Sequence, residues 1–408
     1  MSGKRASPIT RIAGAGTAGR GASEAASRRR LTAAALYSYF VTGIVYTIIG
    51  PSLPTMGAAF DASIAVQGLV FTCMFGGNMA SVLLGGVFVD AAGEKRVLTL
   101  GTAVLAAGLA AVGTAAGWTT VLAGFLAMGV GLGCIDVGNN ALVARVNPSA
   151  PARHLGVLHA AFSIGAVLGP HFAGALLIGT EGFRAAYLLA AALPLAGLAV
   201  FAAVPFPPAG GAGRVDSAAI RRVLLEPRYL LLCAVLLISM GCEMCMNGWI
   251  YTYLRKGMDA AVVAASGGVS LFWLGLFAGR VAGSLIVERI GLRRLMTALV
   301  VGAAAAIVCL ALAPGAGVAL AMAFVVGLFF SSQFPIVVAL GAEDSPDAPG
   351  AAVGGLFAMG GLGGTLIPAG AALVAERASL RAGLGACAPV MALAAVLIAI
   401  QGKLGRRN

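Results

Sequence analysis

Two carboxylates stand where carboxylates are costly. The chain holds 15 Asp and Glu residues, most of them in tails, loops or at the ends of apolar runs. Only Asp136 and Glu243 fall well inside such runs. At that depth a carboxylate costs several kcal/mol unless it is paired, protonated or facing a watery cavity. Both are therefore read as functional groups, with an inter-helix hydrogen-bond staple as the plain alternative. Asp136 lies in Gly131-Leu132-Gly133-Cys134-Ile135-Asp136-Val137-Gly138-Asn139-Asn140, where helical spacing sets Asn139 and Asn140 on its face. Glu243, Asn247 and Tyr251 form an i, i+4, i+8 stripe with Trp249 nearby. Carboxylates, amides and aromatic faces together are what a polyol needs: acceptors and donors for its hydroxyls, and a flat surface for its C–H side. His159 is a further candidate donor. His171, twelve residues on, diverges from it by about 120° on a helix and joins no common site. Arg280 lies inside an apolar run, two turns before Glu288. It is read either as a partner for a substrate or an acid such as Asp136, or as a side chain snorkelling to the membrane surface. Cys242 and Cys245 make a CxxC, but no further ligands stand at metal-site spacing, so they read as buried thiols with no metal.

These groups must be carried by membrane-crossing helices. The 408 residues are 60% hydrophobic and 10% charged, with 59 glycines and a mean hydropathy of +0.96. Soluble domains carry about a quarter charged residues, so a soluble enzyme, a disordered chain and a water-facing nucleic-acid binder are all excluded. Seven cysteines within apolar runs argue against a disulfide framework. Runs of about 20 apolar residues predict twelve spans: 31–53, 65–89, 97–117, 119–145, 155–179 and 184–205, then 229–253, 262–287, 295–313, 317–340, 350–374 and 380–401. They divide the chain into a disordered basic tail (1–30), a first six-helix half (31–205), a linker (206–228), a second six-helix half (229–401) and a short tail (402–408). In the first tail Gly14, Gly16 and Gly19 have dinucleotide-fingerprint spacing, but no strand precedes them.

Charge placement orients the spans. With twelve crossings, 21 of the 27 Lys and Arg residues fall on the side of the two termini and five on the other, with Arg280 inside a span. Basic loops stay cytoplasmic, so both termini are expected there, in an inner cell membrane. One connection runs against the pattern: Glu343, Asp344 and Asp347 make the tenth-to-eleventh loop acidic.

The halves also repeat. Gly85-Gly86-Val87-Phe88-Val89-Asp90-Ala91-Ala92-Gly93-Glu94-Lys95-Arg96 aligns with Gly283-Ser284-Leu285-Ile286-Val287-Glu288-Arg289-Ile290-Gly291-Leu292-Arg293-Arg294 at a constant offset of 198. An acid at a helix end followed by glycine and basic residues makes a tight loop whose contacts can break as halves rock. Asp90, Gly93, Lys95, Arg96, Glu288, Gly291 and Arg293, with Arg280, are therefore the candidate gating residues.

Two six-span halves carrying this repeat resemble the Major Facilitator Superfamily, which implies an all-α membrane protein of 12 transmembrane helices in two pseudo-symmetric halves. The Asp136 segment followed by Asn147-Pro148 resembles the fourth span of the fucose–proton symporter family, and Gly327-Leu328-Phe329-Phe330-Ser331-Ser332-Gln333-Phe334-Pro335 its tenth. Glu243 with Asn247-Gly248-Trp249 resembles the seventh span of related sugar carriers. The resemblance implies a protonation site at Asp136, makes Glu243 the second proton-coupling candidate and adds Gln333 to the binding residues. Gly50-Pro51 stands where that family has a first-span acid and is more similar to the sodium-dependent glucose transporter branch, so the implied coupling ion is a proton or sodium. The resulting expectation is a monomeric transporter, not an enzyme. It would take up a small solute, a sugar, by symport through alternating access, with no cofactor and no nucleic-acid partner. The competing reading is a proton-coupled drug or metabolite efflux antiporter: Gly156, Gly165, Gly169, Pro170 and Gly174 fit the antiporter glycine motif, with Ala173 replacing one glycine. Against it, Phe125 stands where those antiporters carry an arginine.

Overall fold

The 198-residue offset persists in the backbone, element by element. In the computed structural model, which describes residues 8–177, 182–206, 223, 225–345 and 349–404, the second span is Ile64–Ala92 and the eighth Val262–Ile290. The third and ninth are Glu94–Gly113 and Leu292–Ala311. The fourth and tenth are Trp118–Val146 and Ala316–Asp344. Each pair differs by the same 198 residues at both ends. The fifth and eleventh start at Pro151 and Pro349, the sixth is Gly182–Ala203, the seventh Pro227–Gly257 and the twelfth Leu380–Leu404. Ala26–Thr47 and Ile49–Ala59, bent by 44°, complete the set as the first span. No strand occurs among the described residues.

Local chemistry explains the breaks. Pro51 has no N–H for the Thr47 carbonyl and its ring crowds that turn, which bends the first span at Ile48. Pro335 does the same to the tenth span, interrupted at Ser331–Ser332 between Ala316–Phe330 and Gln333–Asp344. Gly93 (φ 79°) and Gly291 (φ 80°) turn the chain between successive spans in a backbone region that side chains disfavour. This is why glycine recurs at the offset. Where the sequence reads as a disordered tail, the first helix runs back to Pro8; the alanine and arginine content there has good helix propensity. The 206–228 linker lies largely outside the described residues.

Packing repeats too. A Cβ on Gly129 would strike the Met74 carbonyl, and one on Gly327 the Phe272 carbonyl. These contacts, fourth span on second and tenth on eighth, again correspond at 198. Small residues let membrane helices approach until their backbones touch. Large apolar side chains such as Leu84, Leu100, Leu285 and Val263 remain on the outer surface, as a lipid-facing perimeter requires.

Candidate functional site

The two halves meet chiefly through the second and eleventh spans, the fifth and eighth, and the first and seventh. These contacts concentrate between mid-height and the face away from the termini. There Gly68 abuts Ala372, Gly50 lies on the Asn247 and Gly248 carbonyls, and Gly174 lies on Ser266. The Glu376 carboxylate, at the end of the eleventh span, accepts from the Ser63 hydroxyl (2.8 Å) and the Ala65 amide (2.5 Å), capping the second span across the interface. Ser270 of the eighth span donates to the Val167 carbonyl (2.7 Å) and meets His171 Nδ1 at 2.9 Å. Among the described residues, no comparable packing joins the fourth span of the first half to the tenth and eleventh of the second.

Below that seal lies a central cavity of about 170 Å³, roughly the volume of five water molecules in the liquid. Both halves line it. The first contributes Tyr39, Tyr46, Phe75, Asn78, Asp136, Asn140, His159 and Phe162; the second contributes Met240, Glu243, Met244, Trp273, Arg280, Phe334, Phe357 and the Gly360–Gly361 backbone. Asp136 and Glu243, 107 positions apart in the chain, thus open onto one space. The Asn140 amide donates to the Tyr39 hydroxyl (2.5 Å) and to the Asp136 carbonyl (2.8 Å). The Tyr39 hydroxyl and the Asn78 amide face the Asp136 carboxyl, and Asn78 also donates to the Tyr46 hydroxyl at 3.4 Å. His159 stands edge-on to Tyr39, with ring centroids 5.4 Å apart.

Arg280 is tied within the span and does not snorkel. Its Nε donates to the Ser331 carbonyl at 3.1 Å, the acceptor left without a helical donor because Pro335 has no N–H. Glu243 lies near enough to interact electrostatically with Arg280, but no ion pair joins them.

Several expected binding residues lie elsewhere. Asn139 is fully buried and donates to the Ser38 hydroxyl at 3.1 Å, because the first span packs against that side of the fourth. Asn247 is a bridge: its amide donates to the Tyr46 carbonyl (3.2 Å) and its oxygen accepts from the Trp273 indole (2.7 Å). Trp249 donates to the Pro368 carbonyl at 3.2 Å, and Tyr251 is buried in the core. The seventh-span stripe climbs 1.5 Å per residue, so beyond Glu243 it leaves the cavity and enters the seal. Gln333 donates back across the break to the Phe329 carbonyl (3.0 Å) and is buried; the break in the tenth span turns Phe334 to the cavity instead. Tyr39, Tyr46, Asn78 and Trp273 were not anticipated. Asn78, an amide midway along an apolar span, carried a readable signal, as did Tyr39 and Tyr46, seven residues apart on one helical face.

The expected gating residues divide as well. Gly93 and Gly291 form the turns, Lys95 and Arg96 are exposed, and Lys95 lies 5.7 Å from the Phe206 ring centroid. The Asp90 side chain is outside what is described, and Glu288 is exposed. In the first half the acid engaged among the described side chains is Glu94, paired with Arg145 at 3.0 Å. In the second half it is Asp344, from the acidic loop that breaks the charge pattern. It binds Arg228 (2.8 Å), Arg293 (3.3 Å) and the Gln401 amide (2.7 Å). Arg293 therefore links spans within one half, not across the two.

Two six-span helical halves around a central cavity with buried ionisable groups define a membrane transporter, not an enzyme. The Major Facilitator Superfamily profile matches residues 35–360, and the chain belongs to that superfamily. It is 25% identical over 355 residues to a Helicobacter pylori protein named for glucose/galactose transport, covering 81% of this chain and 85% of that one. Among solved structures, a nucleoside transporter superposes with a TM-score of 0.80 at 13% identity over 92% of this chain and 99% of its own. The E. coli fucose:proton symporter does so with 0.64 at 17% identity over 91% and 98%.

Proposed function

We propose that this transporter moves a small polar solute of the sugar class by proton-coupled symport. The two halves would rock around the central cavity in an inner membrane, with both termini cytoplasmic. The observation that carries the reading is the convergence of Asp136 and Glu243, one from each half, on a single cavity that also holds amides, hydroxyls and aromatic faces. Asp136 is the first proton carrier. It lies among Tyr39, Asn78 and Asn140, so a proton gained or lost there changes the donors presented to a hydroxylated solute. Glu243 is the second ionisable site. The name of the Helicobacter pylori relative supports a sugar as solute. Sealing at the far face corresponds to an inward-facing state, and release of that seal to the outward-facing one.

The efflux reading carries less weight against this geometry. Gly165 packs against the Phe40 carbonyl of the first span, and Gly363 makes the mirrored contact on Leu237 of the seventh. A glycine used the same way in both halves serves helix packing and is not a mark of antiport.

The test is uptake of labelled monosaccharides and their derivatives into proteoliposomes, under an imposed proton gradient, a sodium gradient or neither. Accumulation driven by the proton gradient is expected, with Asp136→Asn retaining solute exchange while losing accumulation. Accumulation unchanged in that variant would remove Asp136 from coupling. Dye extrusion without any sugar uptake would overturn the symport reading.

A further inference from the structure

The cavity contains one strong cation, and no carboxylate among the described residues forms an ion pair with it. Arg280 is the only Lys or Arg among the described residues lining the cavity. The Nε–H···O=C bond to Ser331 uses one of its five N–H donors and fixes the plane of the guanidinium. The eighth and tenth spans hold that plane still, because their backbones approach closely: a Cβ on Gly279 would lie 2.5 Å from the Leu328 carbonyl. No hydrogen bond or ion pair to the described residues engages the terminal guanidinium nitrogens, and Glu243 interacts with them only at longer range. An uncompensated guanidinium at this depth is expensive. A planar fork held in place, with its outer donors open to a cavity, is the geometry that binds a planar oxyanion through two parallel hydrogen bonds.

We infer that the solute carries a carboxylate that docks on Arg280, so that the preferred substrates are sugar acids such as hexuronates or aldonates and not neutral hexoses. This rests on the symport reading above and narrows its substrate class. The charge count of the cavity selects a monoanion. Asp136, Glu243 and His159 face the same space as Arg280, so one permanent cation shared with two titratable acids, beside a single imidazole, matches a monoanion better than a phosphate dianion. The rest of the sugar meets Trp273, whose indole the Asn247 oxygen holds in place at 2.7 Å. Protons taken up by the two acids remove the charges that would repel the incoming carboxylate, which ties anion entry to proton entry.

The experiment uses the full chain in proteoliposomes, with labelled D-glucuronate and D-glucose under an inward proton gradient, each also tested as a competitor of the other. Glucuronate is expected to be favoured by about tenfold or more, the discrimination supplied by one charge-assisted hydrogen-bonded pair. Arg280→Lys keeps the charge without the fork and should weaken glucuronate uptake by about tenfold. Arg280→Gln should abolish it. The wild-type competition does not depend on either variant folding. Glucose taken up as well as glucuronate, or glucuronate uptake unchanged within about twofold in Arg280→Lys, would overturn the carboxylate inference and leave sugar symport standing. Failure of the wild type to take up either compound, with neither raising its thermal stability in detergent, would overturn both.

Discussion

Asp136 and Glu243 occupy different chemical settings. Asp136 opens partly to the cavity with hydroxyl and amide neighbours on three spans. Glu243 is 4% exposed and has no hydrogen-bond partner among the described residues. The positions equivalent to them at the 198 offset are Phe334 and Val45, so the pseudo-symmetric scaffold carries an asymmetric site. Asn247 illustrates how a residue outside the cavity shapes it. It joins three spans by accepting from Trp273 and donating to Tyr46. Asn247→Leu should leave an indole N–H and a carbonyl unpaired, lowering stability by about 1 kcal/mol. It should also raise the KM for the solute through a misplaced Trp273 while coupling to the gradient persists. A thermal scan in detergent paired with uptake kinetics measures both, and an unchanged KM would show that Trp273 needs no such support.

Among elements, the close pairs are the second span with the fourth and the eighth with the tenth. Their contact depends on glycines that no larger residue can replace without moving a backbone. Gly129→Leu and Gly327→Leu should each cost at least 1–3 kcal/mol, as overpacking does, and should do so to similar extents because the contacts are equivalent. Gly317 has nothing within 4 Å, so Gly317→Leu is the control and should be tolerated. Size-exclusion profiles and thermal stability of the three variants test this together. The proline breaks matter for a different reason: they free carbonyls at mid-membrane, and in the tenth span the freed Ser331 carbonyl is what anchors Arg280. A defect in one helix thereby becomes the positioning device for a charge on another.

On the scale of the whole molecule, the halves close the face away from the termini, and among the described residues no such packing joins the fourth span to the tenth and eleventh. Hydrogen bonds across the seal are few, and the Glu376 cap on the second span is the one that uses a carboxylate. A helix N-terminus favours a negative partner, so Glu376→Gln should weaken the seal and shift the population towards opening at the far face. Labelling of single cysteines introduced around Gly68 and Ala372 should then speed up severalfold. Labelling unchanged from the parent would mean that the apolar packing around Phe71 and Trp249 closes that face by itself. Asp344, by contrast, binds two arginines and a glutamine of its own half, and so stiffens that half as a rigid body.

Much of this architecture was legible in the sequence, for physical reasons. Apolar length fixes membrane spans because backbone polar groups must be satisfied within a helix in lipid. The repeat was visible as a constant offset because a turn that needs glycine needs it in both halves. The two mid-membrane acids, Asp136 and Glu243, stood out because carboxylates are costly in apolar runs. Which neighbours share their cavity did not follow from periodicity. The Glu243, Asn247, Tyr251 stripe is a true helical face, yet a helix face runs the height of the membrane while the cavity occupies only part of it. Asn139 and Asn140 are adjacent in sequence, and only the packing of the first span decides which of them lines the cavity. Span number and the identity of the buried acids were set by the one-dimensional pattern of cost. The meeting of Tyr39, Asn78, Asp136, Glu243, Trp273 and Arg280 was decided by how twelve helices pack, where contacts between residues far apart in the chain leave no mark in either local sequence.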